Sequence, residues 1–213
     1  MRRCSIPRWL VVVALAVPTL CAPGAPAALA QPGGTGVAGA GTLVIKPLAE
    51  TKVAELPAGA LFWRVETFAT LAAAEAAAGP TSLVAQADGK AWLFTLGPAG
   101  GSSNGGTKMA EIGPLPRVAA SQYLLRVNEA SGPPGSVTPV HSHPGAEATY
   151  VLAGEQSFRM PDGVHRVPAG HGAAGHAADT PMQVSSSGTG DLRALVLFVV
   201  DATRPFSTPA KLP

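Results

Sequence analysis

GSVTPVHSHPGAEATYVLAG, Gly135 to Gly154, is the stretch that decides how the rest of this chain is read. Two histidines stand one residue apart, a Pro-Gly turn follows, and a glutamate leads into an apolar, β-prone run. Strand side chains alternate between faces with about 3.3 Å of rise per residue. His141 and His143 therefore point the same way, roughly 6–7 Å apart at Cα. Pro144-Gly145 is turn chemistry and folds Glu147 back beside them. Two imidazoles and a carboxylate converging inside a sheet are the beginnings of a transition-metal site.

The ends of the chain bound what such a site could serve. Arg2, Arg3 and Arg8 precede an apolar run from Trp9 to Val17 and a Pro/Ala-rich stretch ending Ala28-Leu29-Ala30. A basic start, a short apolar core and an A-x-A end predict a secretory signal peptide over residues 1–30. The run is shorter than the ~20 residues a spanning helix needs. Leu20 before Cys21 is not the small residue that a lipid-anchoring cleavage requires. Removing 30 of the 213 residues leaves 183, and takes with it three of the 15 basic residues and none of the 13 acidic ones. The remainder is near neutral and gives no footing for nucleic acid or an anionic membrane. Both cysteines, Cys4 and Cys21, are lost as well, so the exported chain is expected to rely on its core rather than on disulfides.

Along the chain, residues 31–41 (QPGGTGVAGAG) read as a flexible linker. Thr42–Ile45 and Ala60–Glu66 read as strands, with Phe62-Trp63 as packing aromatics. Thr67–Ala78 (TFATLAAAEAAA) is the one helical segment, started by Thr67 or Thr70 and stopped by Gly79-Pro80. Asp88-Gly89 between two β-prone runs, and Asp162-Gly163 between two more, predict hairpins. The GPAGGSSNGG loop at Gly97–Gly106 lacks the GK[ST] ending of a phosphate cradle. Ser121–Val127 alternates as a strand, and Leu192–Val200 (LRALVLFVV) is the most hydrophobic one. Many short strands, Gly/Pro turns and a single helix predict an all-β sandwich or barrel. Strand alternation puts Thr149 and Val151 on the face of Glu147 and Tyr150 on the other.

The spacing G-x5-H-x-H-x3-E-x6-G, carried by Gly135, His141, His143, Glu147 and Gly154, is similar to the first motif of the cupins. The resemblance spans roughly Tyr123 to Val200. It implies a double-stranded β-helix (jelly-roll) barrel over residues 121–203. Residues 42–120 would add strands and a helix around it, and 204–213 would form a Pro-rich tail. It also implies a divalent transition metal (Mn, Fe, Co, Ni, Cu or Zn) on His141, His143 and Glu147, with Glu147 as the candidate catalytic base. The second cupin motif is only partly matched, by Pro168-Ala169-Gly170. The slot for its histidine falls on Ala173. His176 would supply the fourth ligand if the loop carries a short insertion. His171 is the second candidate, and absence of a fourth histidine the remaining alternative. His165 reads as an ordinary polar strand residue. Arg126, Arg159 and Gln183 are strand polar residues that either reach a bound anion or face solvent.

What the resemblance implies for function is an exported, secreted or periplasmic metalloprotein with a small-molecule ligand or substrate. It would be a dioxygenase-like or isomerase/lyase enzyme, or else a non-catalytic binding protein of the cell envelope. A homodimer is the oligomer this resemblance implies.

Overall fold

The computed structural model describes residues 41–213, so the expected signal peptide and nearly all of the Gly-rich linker lie outside the described residues. Within them the chain is mostly strand. β1 (Val44–Val53) comes first, then β2 (Phe62–Phe68), a short helix α1 (Leu71–Ala77), β3 (Ser82–Ala87), β4 (Lys90–Gly97) and β5 (Thr107–Ile112). β6 (Tyr123–Gly132) leads into the histidine motif, which supplies β7 (His141–Ser142) and β8 (Gly145–Ala153). β9 (Glu155–Met160) and β10 (Gly163–Pro168) follow, then β11 (Gly172–Ala173), β12 (Gln183–Ser186), β13 (Leu192–Asp201) and β14 (Thr208–Pro209). Among the described residues no helix is long and apolar enough to cross a membrane.

The run LRALVLFVV explains the centre of the fold. A strand that is apolar at successive positions must bury both faces, and β13 does. It lies in the middle of a five-stranded sheet of order β1-β6-β13-β8-β11, antiparallel to β6 on one side and β8 on the other. On one face Leu195, Leu197 and Val199 pack with Leu125 and Val127 of β6 and with Ala146, Ala148 and Tyr150 of β8. On the other, Ala194 meets Val151, Phe158, Met160 and Val184, which closes the sheet against the three-stranded sheet β10-β9-β12. Each buried Leu or Val contributes about 1.5–3 kcal/mol. Two antiparallel sheets face to face around an apolar core make the jelly-roll barrel.

The outer face of the five-stranded sheet is covered by a second sheet of order β3-β4-β2-β5. Trp63, Trp92 and Phe94 join the same core cluster as Leu195 and Leu197. The indole Nε1 of Trp92 donates to the Ala87 carbonyl (2.9 Å), which removes the cost of burying its N–H. β1 belongs to the barrel itself, pairing with β6 from Val44↔Ser131 to Val53↔Tyr123.

Local chemistry accounts for the turns. Asp88 (φ 50°) and Gly89 (φ 69°) both sit left-handed between β3 and β4, the conformation of a two-residue type I′ hairpin loop. A hairpin joins β9 to β10 as the sequence predicts, with Pro161-Asp162 as its loop and Gly163 already paired with Met160. The helix is shorter than its composition suggests. Thr67 and Phe68 remain in β2 because they pair with Trp92 and Ala91 of β4, and α1 starts only where the Thr70 hydroxyl accepts from the Ala73 N–H (3.1 Å). β5, TKMAEI, has no strand signal of its own. Its four central residues, Lys108 to Glu111, favour helix, and pairing with β2 holds it extended.

Candidate functional site

β7 is two residues long and is held from both sides. His141 exchanges backbone hydrogen bonds with Met182 (2.9 and 2.8 Å). On the opposite side β14 pairs Thr208 with Ser142 and Pro209 with His141. The Pro-rich end of the chain is therefore a strap across the histidine motif, with the Ala210 N–H donating to the Val140 carbonyl (3.1 Å).

Each motif histidine is oriented through its Nδ1. The His141 Nδ1 lies 2.9 Å from the Pro139 carbonyl and the His143 Nδ1 2.6 Å from the Phe206 carbonyl. A carbonyl can only accept, so both Nδ1 atoms carry the proton and both Nε2 atoms present a lone pair. That is the tautomer of a metal-ligating imidazole, set by its outer partner. The two rings stand edge to face with centroids 5.0 Å apart, and His143 Nε2 lies 3.6 Å from Glu147 Oε2.

The surroundings are apolar. His143 is buried between the rings of Phe198 and Phe206, at centroid distances of 4.8 and 4.7 Å. Burial lowers its pKa to about 4, against the opposing hydrogen bond to Phe206, with the charges of His141 and Arg126 adding to the fall. Burial alone pushes the Glu147 carboxyl up to about 8. Its Oε2 is buried and has no hydrogen-bond partner, so this carboxylate lacks the counter-charge that buried acids require.

His141, His143 and Glu147 border one cavity of about 350 Å³. Two further buried polar atoms on its wall lack partners, Asn128 Oδ1 on β6 and Gln156 Nε2 on β9. The other end of the Gln156 amide accepts from the Thr149 hydroxyl at 2.5 Å. As they stand, among the described residues no three His, Cys, Asp or Glu side chains converge in a metal-holding arrangement.

His176 is placed elsewhere. Its ring packs on Phe158 (5.1 Å) and lies 6.5 Å from that of His165, lining a separate recess with Met160, Asp162 and Thr180. The reason is local. Ala173, in the slot of the expected ligand, pairs with Thr149 on β8 and packs against the Phe158–Val184 core cluster. The chain then presses its backbone onto the motif: the Asp179 N–H donates to the His143 carbonyl (2.7 Å), and a Cβ at Gly175 would fall 0.7 Å from the Glu147 carbonyl oxygen. His171 is exposed, its Nδ1 3.1 Å from the Ala169 carbonyl, and lines the cavity no more than His176 does. His165 pairs with Asp162 on the surface (3.1 Å). Arg126 forms an ion pair with Glu50 (2.6 Å) and covers the Phe206 ring. Arg159 is exposed, and Gln183 donates to the Thr138 carbonyl (3.1 Å). Thr149 and Val151 share the face of Glu147, while Tyr150 packs toward the outer sheet.

Sequence reasoning passed over Asn128, Gln156, Phe198 and Phe206. Gln156 was open to discovery, since it alternates with Phe158 and Met160 on the buried face of β9. Phe206 was not, because nothing local tells a tail to fold back.

No protein-family model matches the chain, and no curated protein matches it in sequence. Solved structures do. A cupin-like protein from Thermotoga maritima aligns at 15% identity with a TM-score of 0.37, over 41% of this chain and 65% of that one. A conserved protein with a double-stranded β-helix domain from Klebsiella pneumoniae aligns at 22% and 0.35, over 41% and 75%. The DMSP lyase of Ruegeria pomeroyi aligns at 25% and 0.35, over 40% and 43%. The described residues form an all-β fold of facing antiparallel sheets, the class of the double-stranded β-helix structures they align with, and the aligned share is about two fifths of this chain. Conversely, the chain spans 48% of the length of a putative sugar phosphate isomerase from Acidithiobacillus ferrooxidans that it also aligns with, and 43% of that lyase.

Proposed function

We propose that this chain is an exported, metal-dependent cupin that binds a divalent transition metal through His141, His143 and Glu147 and acts on a small oxygenated molecule. One observation carries the reading: a buried carboxylate oxygen without a partner, 3.6 Å from an imidazole nitrogen whose lone pair is free. Two imidazole nitrogens and a carboxylate suit Mn, Fe, Co, Ni, Cu or Zn. Such a cation supplies Lewis-acid polarisation of an oxygen and, if redox-active, dioxygen chemistry.

The chain's own residues do the rest. The Phe206 and Pro139 carbonyls keep both Nε2 lone pairs turned toward the site. Phe198 and Phe206 exclude water around His143. Glu147, whose burial raises its affinity for a proton, is the group that takes a proton from a bound molecule or returns it. The activity class this fits is dioxygenase-like or isomerase/lyase. A second reading, a non-catalytic binding protein of the cell envelope, is favoured by the position of His176 and His171 outside the cavity. Export rests on the residue 1–30 pattern.

Metal analysis of the secreted protein, purified without a histidine tag, tests the proposal. A stoichiometric transition metal is expected, lost in His141→Ala and Glu147→Gln. A wild-type protein that takes up none of the six metals, with His141→Ala unchanged in stability, overturns it.

A further inference from the structure

Sixteen residues line the cavity, and none of them is Lys or Arg among the described residues. The guanidinium behind the Phe206 ring, that of Arg126, is already paired with Glu50. The one ionisable oxygen on the wall, that of Glu147, is an acid. A phosphate entering here would find no cation of the chain to replace its hydration and would face a carboxylate instead. Ile45, Ala130, Val184, Val196, Phe198 and Phe206 make most of the remaining wall apolar.

The unpartnered atoms are of opposite sense. Gln156 is fully buried and Asn128 is 3% exposed, and their buried amide atoms without a partner are one donor, Gln156 Nε2, and one acceptor, Asn128 Oδ1. Left unmade, a buried hydrogen bond is costly, so both atoms call for a partner from outside the chain. A hydroxyl is the smallest group that serves both, its oxygen accepting from Gln156 and its hydrogen going to Asn128. A carbonyl oxygen serves Gln156 alone. The volume, about 350 Å³, lies at the small end of ligand pockets.

We propose that the cavity selects an uncharged, largely apolar molecule bearing a hydroxyl or carbonyl oxygen, seats that oxygen on the Gln156 and Asn128 amides, and rejects phosphate esters. This deepens, and rests on, the reading of the cavity as the ligand site. It makes no use of the metal, so the two fail separately.

The test uses the chelator-treated full-length exported protein and three matched probes, 2-naphthol, 2-methylnaphthalene and 2-naphthyl phosphate, followed by fluorescence titration. 2-Naphthol is expected to bind at least about tenfold more tightly than its phosphate ester. Gln156→Leu should weaken 2-naphthol by about tenfold relative to 2-methylnaphthalene. Phe206→Ala should weaken both neutral probes together, and thermal melting checks that each variant is folded. Should Gln156→Leu not fold, the same ratio is read from Asn128→Leu. The proposal is overturned if the phosphate ester binds as tightly as 2-naphthol. It is also overturned if neither amide variant changes the naphthol-to-methylnaphthalene ratio, or if none of the probes binds. Metal content, measured on the untreated protein, reports on the metal proposal independently.

Discussion

Replacing Glu147 with glutamine should change how the metal-free protein responds to pH, and the change can be worked from the two buried groups. In the folded state the Glu147 carboxyl titrates at about 8 against an ordinary 4.5, and His143 at about 4 against an ordinary 6.5. At about 1.36 kcal/mol per pH unit, these correspond to roughly 5 and 3 kcal/mol. The signs oppose each other. Above 4.5 the folded state holds a proton on Glu147 that the unfolded state has released, so stability falls with rising pH until about 8. Below 6.5 the unfolded state binds a proton that folded His143 refuses, so stability falls with falling pH until about 4. Between 4.5 and 6.5 the two slopes cancel, because folding merely moves a proton from imidazolium to carboxylate. The pair should therefore leave wild-type stability level across that window and lower it by roughly 2 kcal/mol from 6.5 to 8. Glu147→Gln removes the acid and leaves His143, so its contribution rises by roughly 3 kcal/mol from 4 to 6.5 and is level above. Urea denaturation at half-unit pH steps with a chelator present gives both curves. Their difference, mutant minus wild type, cancels every other titrating group and should climb steadily from 4.5 to 8. A flat difference would refute the claim that Glu147 is buried without a counter-charge. Adding the metal should abolish the wild-type decline above pH 6.5, since a cation holds the carboxylate ionised.

Other outcomes follow from the same geometry. Ending the chain at Arg204 removes β14, the Phe206 carbonyl that orients His143 and the Ala210 bond to Val140. It should cost about 3 kcal/mol by denaturation, from one half-buried aromatic and the strap's hydrogen bonds, and weaken metal uptake by equilibrium dialysis. His176→Ala should leave metal content unchanged, whereas His143→Ala should abolish it, both read by elemental analysis. Glu66 is fully buried in β2, where hydrogen bonds from the Ser103 N–H and hydroxyl (both 2.7 Å) and from Arg64 (3.0 Å) meet it. Burial pushes its carboxyl up, but these bonds outweigh it and hold it below the usual range. Glu66→Ala should cost about 3 kcal/mol by leaving the Arg64 Nε and the Ser103 N–H without their acceptor, and should open the 97–106 loop to limited proteolysis. Leu197→Ala, at the centre of β13, should cost about 2–5 kcal/mol in thermal or urea unfolding.

What the sequence determined on its own is what depends on neighbours along the chain. Period-two alternation put Glu147, Thr149 and Val151 on one face. Asp-Gly pairs marked two hairpins, because their backbone conformations need no tertiary help. The continuous apolar run of β13 announced a strand buried on both sides. The H-x-H-x3-E spacing put two imidazoles and a carboxyl on the wall of one cavity. Tertiary structure decided whatever depends on a partner distant in sequence. β5 is a strand only because β2 pairs with it, and Thr67-Phe68 leave the helix for the same reason. The tail becomes a strap only because β7 offers it an open edge, and it alone supplies the carbonyl that fixes the His143 tautomer. His176 turns to Phe158 rather than to Glu147 because Ala173 fills the inward slot and the backbone at Gly175 runs against the Glu147 carbonyl. Burial is a property of the packed whole, so the lone carboxylate and the two unpaired amide atoms, on which the functional reading depends, could be found only there.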